Sequence, residues 1–159
     1  MKGLVICIGR QYGSGGREIG EKLAERLGIT CYDKLLLKQA AQKSGVSEKE
    51  FERLDEQPVS TSQFLSGNVF ADSASIGSTF YSESQIIYDA EQETILKVAE
   101  QGPCVIIGRC ASSILRGKKN VLSVFIYADE DDRIARIAAR NHLDEHEARA
   151  RMRKMDRMR

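Results

Sequence analysis

The residues Gly3 to Ile8, GLVICI, form an uncharged run of strand length that passes without a break into GRQYGSGGREIG. A short, continuously apolar run belongs to a strand covered on both faces of a parallel sheet, since a half-exposed strand would alternate and a helix would need more length. From Arg17 to Leu27, the residues Ile19, Leu23, Ala24 and Leu27 recur at helical spacing with Glu21, Lys22, Glu25 and Arg26 outside, and Gly28 stops the run. Strand, glycine loop and helix in that order commit the chain to a crossover, so the next strand joins the first in parallel.

The pattern then repeats. ITCY reads as a second strand ending at Asp33, KLLLKQAAQKSG as a helix, and Ser47 with Glu50 as the capping box of another. Between Gln57 and Ser84 the regular spacing fades in a Ser- and Gly-rich stretch carrying Phe64, Phe70, Phe80 and Tyr81, which reads either as a lobe closing over something or as a surface loop. Gln85 to Gln101 is helical and ends at Gly102-Pro103. CVIIG is a third buried strand, followed by an Arg109-Cys110 corner and the short helix ASSIL; VLSVFIYA is a fourth strand; DEDDRIARIAARNH is a helix with acids in its first turn; and another helix starts at Asp144. Alternating strands and helices imply an α/β fold with a central parallel sheet flanked by helices and ligands at the carboxyl ends of its strands. Three corners lie there: the glycine loop, Asp33 and Arg109.

A chain of 159 residues reads as a single domain over residues 1–159, long enough to bury a core. A formal net charge of +1 excludes a uniformly basic nucleic-acid binder, but the sequence HEARARMRKMDRMR concentrates positive charge locally. That basic helix lacks interleaved aromatics, which places nucleic-acid binding last among the readings. Cys7, Cys31, Cys104 and Cys110 have no CxxC spacing, and three lie in apolar runs, as expected of reduced, buried thiols in a cytoplasmic protein. No run approaches the roughly 20 apolar residues that a membrane-spanning helix requires, so no membrane partner is expected. The sequence assigns no oligomeric state.

The loop admits three readings. Backbone N–H groups converging at a helix N-terminus suit a phosphate, and Gly13, Gly15 and Gly16 would let the backbone approach one closely. A dinucleotide fingerprint fails, because Glu18 stands where its third glycine belongs, although Asp33 lies about where such folds place a ribose-binding acid. A glycine-rich turn without a ligand is the third reading. Under the phosphate reading Gly16 falls at the position of the usual loop lysine. Arg17 next to it would supply the charge as a planar fork rather than a mobile point charge, with Ser14 or Glu18 replacing part of a Mg²⁺ shell; otherwise catalysis is weak or absent.

On RQYGSGGREIGEKLAERLGI, CYDKLLLKQAA, GPCVIIGRCASSIL and VFIYADEDDRIARIAAR, taken in order, the chain resembles the cytidylate kinase-like proteins, a divergent branch of the P-loop nucleoside monophosphate kinases. The resemblance spans most of the chain and is weakest in the Ser-rich middle. It implies a P-loop kinase fold with an acceptor-binding lobe over residues 56–85 and an arginine-bearing lid over residues 129–159. The implied reaction transfers the γ-phosphoryl of ATP, with Mg²⁺, to a nucleoside monophosphate, CMP or dCMP foremost. The alternative is a nucleotide-binding regulator or pseudokinase of the same fold without turnover.

Carried over by position, the resemblance makes Gly13, Ser14, Gly15, Gly16, Arg17 and Glu18 the phosphate loop, with Ser14 and Glu18 toward the metal. Arg133 and Arg136, one turn apart, join the nucleotide contacts. Arg17, Arg153 and Arg157 become the catalytic cations, and Asp33, Arg109, Lys154 and Asp156 the acceptor contacts. Asp33 has a second reading as the cap of the helix starting at Lys34. Cys110 stands where cytidylate kinases carry an aspartate that helps hold the nucleoside, which puts the acceptor's identity in question. Family members continue past the basic helix with another strand and helix, so the expectation is a truncated or partial C-terminus.

Overall fold

The apolar run after Gly3 becomes strand β1 (Val5–Arg10), whose first four residues are buried. The computed structural model describes residues 3–33, 42 and 83–157. After β1 come α1 (Gly16–Leu27), β2 (Thr30–Tyr32), α2 (Glu83–Gln101), β3 (Cys104–Ile107), α3 (Ala111–Ile114), β4 (Val121–Ile126), α4 (Glu130–Asn141) and α5 (Glu145–Arg157). The expected 56–85 lobe lies outside the described residues except for the start of α2, as do the helices expected after Asp33.

The described strands form one sheet in the order β2-β3-β1-β4, with every neighbouring pair parallel. Val5 to Ile8 pair with Cys104 to Ile107 on one side, and Val5 to Arg10 pair with Val121 to Ile126 on the other. The period of two along each strand sorts its side chains onto two faces. Ile6, Ile8, Val105 and Ile107 face α1, meeting Leu23, Ala24 and Leu27. Val5, Cys7, Cys104 and Ile106 face the opposite layer, where Ile95, Val98 and Ala99 of α2 and Ala111 and Leu115 at α3 close over them. Three layers result, as expected of an α/β fold.

α1 lies close on the sheet because Gly20 has no side chain: a Cβ there would fall 2.8 Å from Ile107 Cδ1 and 3.1 Å from Ile8 Cδ1. The helix ends on Gly28 in the left-handed region, whose N–H, with that of Ile29, satisfies the carbonyls of Glu25 and Ala24. A third apolar cluster holds α4 against α5 through Ile134, Ile137, Ala148 and Met152, with Tyr12 and Leu143 packed on it. α5 starts from a reciprocal capping box, Glu147 N–H donating to Asp144 Oδ1 at 2.8 Å and Asp144 N–H to Glu147 Oε2 at 3.1 Å.

β4 departs from the buried pattern of β1 and β3. Leu122, Val124 and Phe125 are exposed, as is Tyr127 just beyond, so the described sheet carries an apolar edge of the kind that soluble folds ordinarily cover. Cys7 and Cys104 are buried, Cys31 is partly so, Cys110 is exposed, and all four are free thiols. Burial pushes the Cys7 and Cys104 thiols up to about 11, which keeps them protonated and unreactive. Among the described residues no helix is long and apolar enough to cross a membrane.

The close approach of α1 gives a direct test. Replacing Gly20→Leu forces the helix off Ile8 and Ile107, and urea denaturation should show a loss of about 1–3 kcal/mol, whereas Glu25→Leu on the exposed face of the same helix should change stability by less than about 0.5 kcal/mol.

Candidate functional site

β1 ends at Arg10, and the chain reaches α1 through Gln11 to Gly15. This loop is held from several directions. Gln11 N–H donates to the Ile126 carbonyl at 3.0 Å, the Gln11 side-chain oxygen accepts from Ala128 N–H at 3.3 Å, and Ser14 Oγ donates back to the Gln11 carbonyl at 2.9 Å. Gly13 and Gly15 both have φ near +80°. Each also faces something that a side chain would displace: a Cβ at Gly13 would meet Ile137 Cδ1 at 2.8 Å, and one at Gly15 would meet Arg136 Nη1 at 2.8 Å. These glycines therefore serve both a left-handed backbone and a close approach of α4.

Tyr12 is the firmest anchor of the loop. Its N–H donates to Asp156 Oδ1 at 2.9 Å, its carbonyl accepts from Arg133 Nε at 2.8 Å, and Arg133 Nη2 bonds Asp156 Oδ2 to close the triangle. Arg133 is buried, so its charge requires this pairing. The loop backbone is thus clamped by one residue from α4 and one from the last turn of α5.

The first intrahelical bond of α1 runs from Ile19 N–H to the Gly15 carbonyl. The N–H groups of Gly16, Arg17 and Glu18 precede it and have no carbonyl one turn back within the helix, so they and the helix dipole present a concave donor surface suited to an anion.

The second corner lies beside the loop. Gly108 N–H donates to the Ile8 carbonyl at 2.9 Å, which sets the Gly108-Arg109-Cys110 turn against the end of β1. All three residues have positive φ, and for Arg109 and Cys110 this is an uncommon backbone that marks a constrained corner. Arg109 Nη1 bonds Glu91 Oε1 on α2 at 2.9 Å, with both side chains largely buried. Burial pushes the Glu91 carboxyl up to about 7, and the guanidinium beside it works in the opposite direction.

The remaining expected site residues divide among three places. Arg17 Nε lies 3.0 Å from Glu21 and 2.9 Å from Asp33 Oδ2, so the structure joins the two corner residues Arg17 and Asp33 to each other. Arg136 lies over Gly15 and 3.6 Å from Glu18. The Lys22 hydrogen bond and charge hold Glu18 below the usual carboxylate range. Ser14 is buried, with its hydroxyl turned into the loop. Arg153, Lys154 and Arg157 are exposed on α5, and Arg153 approaches Glu130 at 3.8 Å. Asp156 and Arg133 meet at Tyr12 rather than at the open side of the loop. Among the described residues no three His, Cys, Asp or Glu side chains converge as a metal site.

Glu91 escaped the reading of the sequence. Its signal was an acid on the buried stripe of α2, one turn before Thr94 and Ile95 and two before Val98, all of them buried. The capture of Tyr12 by Arg133 and Asp156 has no comparable signal, because it joins positions separated by 121 and 144 residues.

A model of the cytidylate kinase-like family matches residues 5–159. Among solved structures, an uncharacterized protein from Eubacterium ventriosum is 31% identical with a TM-score of 0.64, the match covering 98% of this chain and 72% of that one. TT1252 from Thermus thermophilus is 21% identical with a TM-score of 0.55, covering 96% of this chain and 80% of that one, and shows likeness of fold. No curated protein matches the chain.

Two substitutions test this division of labour. Arg133→Met strands the Asp156 carboxylate and the Tyr12 carbonyl, and should cost about 3 kcal/mol or more in chemical denaturation; Arg136→Met, at an exposed pair, should cost less than about 1 kcal/mol. Glu91→Leu should likewise lower the melting temperature by leaving the buried Arg109 charge without its carboxylate, while Glu91→Gln, which keeps a hydrogen-bonding oxygen, should lose less.

Proposed function

Because the chain belongs to the cytidylate kinase-like family, with the nucleotide kinase-like chemistry that membership implies, we propose that it transfers the γ-phosphoryl of ATP to a nucleoside monophosphate, with CMP or dCMP the leading acceptor. The observation that carries this reading is the placement of two corners suited to anions side by side on one sheet edge. The glycine loop opens α1 at the end of β1, and the Gly108-Arg109 corner ends the adjacent strand β3. A donor phosphate chain and an acceptor phosphate need that adjacency, because this chemistry depends on positioning and on stabilising charge rather than on a covalent intermediate.

In this reading the N–H groups of Gly16, Arg17 and Glu18 hold phosphate oxygens of the nucleotide, and Arg136 adds charge over Gly15. Arg109 grips the acceptor phosphate with the paired N–H geometry that guanidinium favours, and Glu91 holds it in place. Arg153 and Arg157 would act from α5. Gly13 and Gly15 let α4 pack close on the loop, and the N–H groups that open α1 would meet the phosphate chain. Ser14 is turned inward and Glu18 is engaged by Lys22, so Mg²⁺, which supplies charge neutralisation when bound, would be held mainly by the phosphates and water.

One observation favours a second reading. Arg17, the cation beside the lysine position, is engaged by Glu21 and Asp33, as in a nucleotide-binding protein without turnover.

ADP formation from ATP and Mg²⁺ against a panel of nucleoside monophosphates separates the two. Acceptor-dependent turnover supports the kinase; stabilisation by ATP without product supports the binder. In a kinase, Arg109→Gln should raise the acceptor KM at least about tenfold, the loss of one charge-assisted contact, with a smaller change in the KM for ATP.

A further inference from the structure

We propose that Arg10, at the end of β1, supplies the cation that phosphate loops ordinarily carry as a lysine at the start of the following helix. The proposal rests on the phosphoryl-transfer reading and names the group that serves its phosphates.

Gly16 occupies the lysine position, and the space a side chain would use there is taken. An ideal Cβ on Gly16 would fall 2.6 Å from Arg10 Cβ and 3.2 Å from both Arg10 Cγ and Ile126 Cβ. Gly16 is helical and does not have positive φ, so its backbone does not call for glycine, and glycine weakens a helix relative to alanine. What calls for glycine is the stem of Arg10, which runs through the place a lysine stem would leave from.

The other end of Arg10 meets a second glycine. A Cβ on Gly108 would fall on Arg10 Nη1 and lie 2.7 Å from Cζ. The side chain therefore spans the carboxyl edge of the sheet, from the mouth of the phosphate loop to the corner that presents Arg109. A cation between a donor site and an acceptor site stands where negative charge builds as a phosphoryl group passes between them. As a planar fork it can donate to two phosphate oxygens at once, which a lysine cannot do in fixed geometry. Arg10 keeps its protons throughout and forms no covalent bond.

Arg17 is the competing assignment, and its contacts to Glu21 and Asp33 place it differently. A direct comparison of the two arginines therefore decides between them.

The experiment compares Arg10→Gln, Arg10→Lys, Arg10→Ala, Gly16→Ala and Arg17→Gln with the wild-type chain. Circular dichroism and melting temperature establish which variants are folded. Two readouts follow: kcat with the best acceptor, and the rise in melting temperature produced by ATP, with inorganic tripolyphosphate as a base-free probe. Arg10→Gln should lower kcat at least about 100-fold, the usual cost of one charge-stabilising donor, and abolish the shift with tripolyphosphate. Gly16→Ala, which displaces the Arg10 stem, should reproduce both effects in milder form. Free guanidinium should restore part of the kcat of Arg10→Ala, which loss of a merely structural residue would not allow.

Wild-type kcat and an undiminished tripolyphosphate shift in folded Arg10→Gln would overturn the proposal, as would a larger loss in Arg17→Gln than in any Arg10 variant. If Arg10→Gln does not fold, Arg10→Lys and Gly16→Ala carry the same decision. If the wild-type chain turns over no acceptor, the kinase reading fails, and the tripolyphosphate shift still decides whether Arg10 serves phosphate.

Discussion

The backbone of one residue, Tyr12, has both of its polar groups taken by side chains from the far end of the chain. Its N–H goes to Asp156 and its carbonyl to Arg133, which are themselves paired. A buried guanidinium is costly unless every direction it points in is satisfied, so Arg133 can stay in place only if the loop and α5 do. The positions of Gly13, Gly15 and the first N–H groups of α1 all follow from that condition. In the proposed function a loop built in this way would meet a phosphate with its donors already aimed, without having to order itself at the moment of binding.

The dependence also runs outward. The clusters on the two faces of the sheet assemble from α1 on one side and from α2 and α3 on the other. The α4–α5 pair has its own cluster and joins the rest at Tyr12, whose ring packs on that cluster while its backbone is held by Arg133 and Asp156. Tyr12 thus joins the contacts of Ile137 with Gly13 and of Arg136 with Gly15 in linking the helices expected to serve as a lid to the loop they would serve. Their contact with the loop is built into its backbone, so the end of α5 nearest the loop cannot swing away without undoing the clamp.

Much of this was legible in the residues, and the reason is periodicity. β1 and β3 carry unbroken apolar runs and α1 and α4 clear amphipathic ones, so each element appears where its pattern places it, although β1 runs from Val5 to Arg10, two residues later than the apolar run Gly3 to Ile8. The position of the glycine loop follows from the strand before it and the helix after it. What could not be read was direction. Arg133 and Arg136 lie one turn apart and look equivalent in sequence, yet one is buried against Tyr12 and the other lies half exposed over Gly15. Asp156 sits among basic residues that suggest a ligand surface, and it turns to a main-chain N–H instead. A strand-end arginine such as Arg10 is ordinary in sequence; its meaning lies in Gly16, whose missing side chain leaves room for the Arg10 stem, and in Gly108, against which its guanidinium lies.

A net charge of +1 conceals how the site handles its cations. Arg133, Arg136 and Arg109 have carboxylate partners, and burial decides which of those pairs a phosphate would replace in the proposed function. Arg133 with Asp156 is buried at the arginine and holds main chain as well, so exchange there would cost the loop its shape. Arg136 with Glu18 is long, at 3.6 Å, and more than half exposed on both sides; such pairs contribute little, and a phosphate with more charge and more acceptor oxygens would displace the carboxylate. Arg109 with Glu91 lies between these cases. The pair is largely buried, which disfavours exchange, but burial also raises the pKa of Glu91 to about 7. In the proposed function Glu91 would keep Arg109 in place while the guanidinium meets the acceptor phosphate, and a carboxyl that burial holds closer to neutrality competes less for that guanidinium.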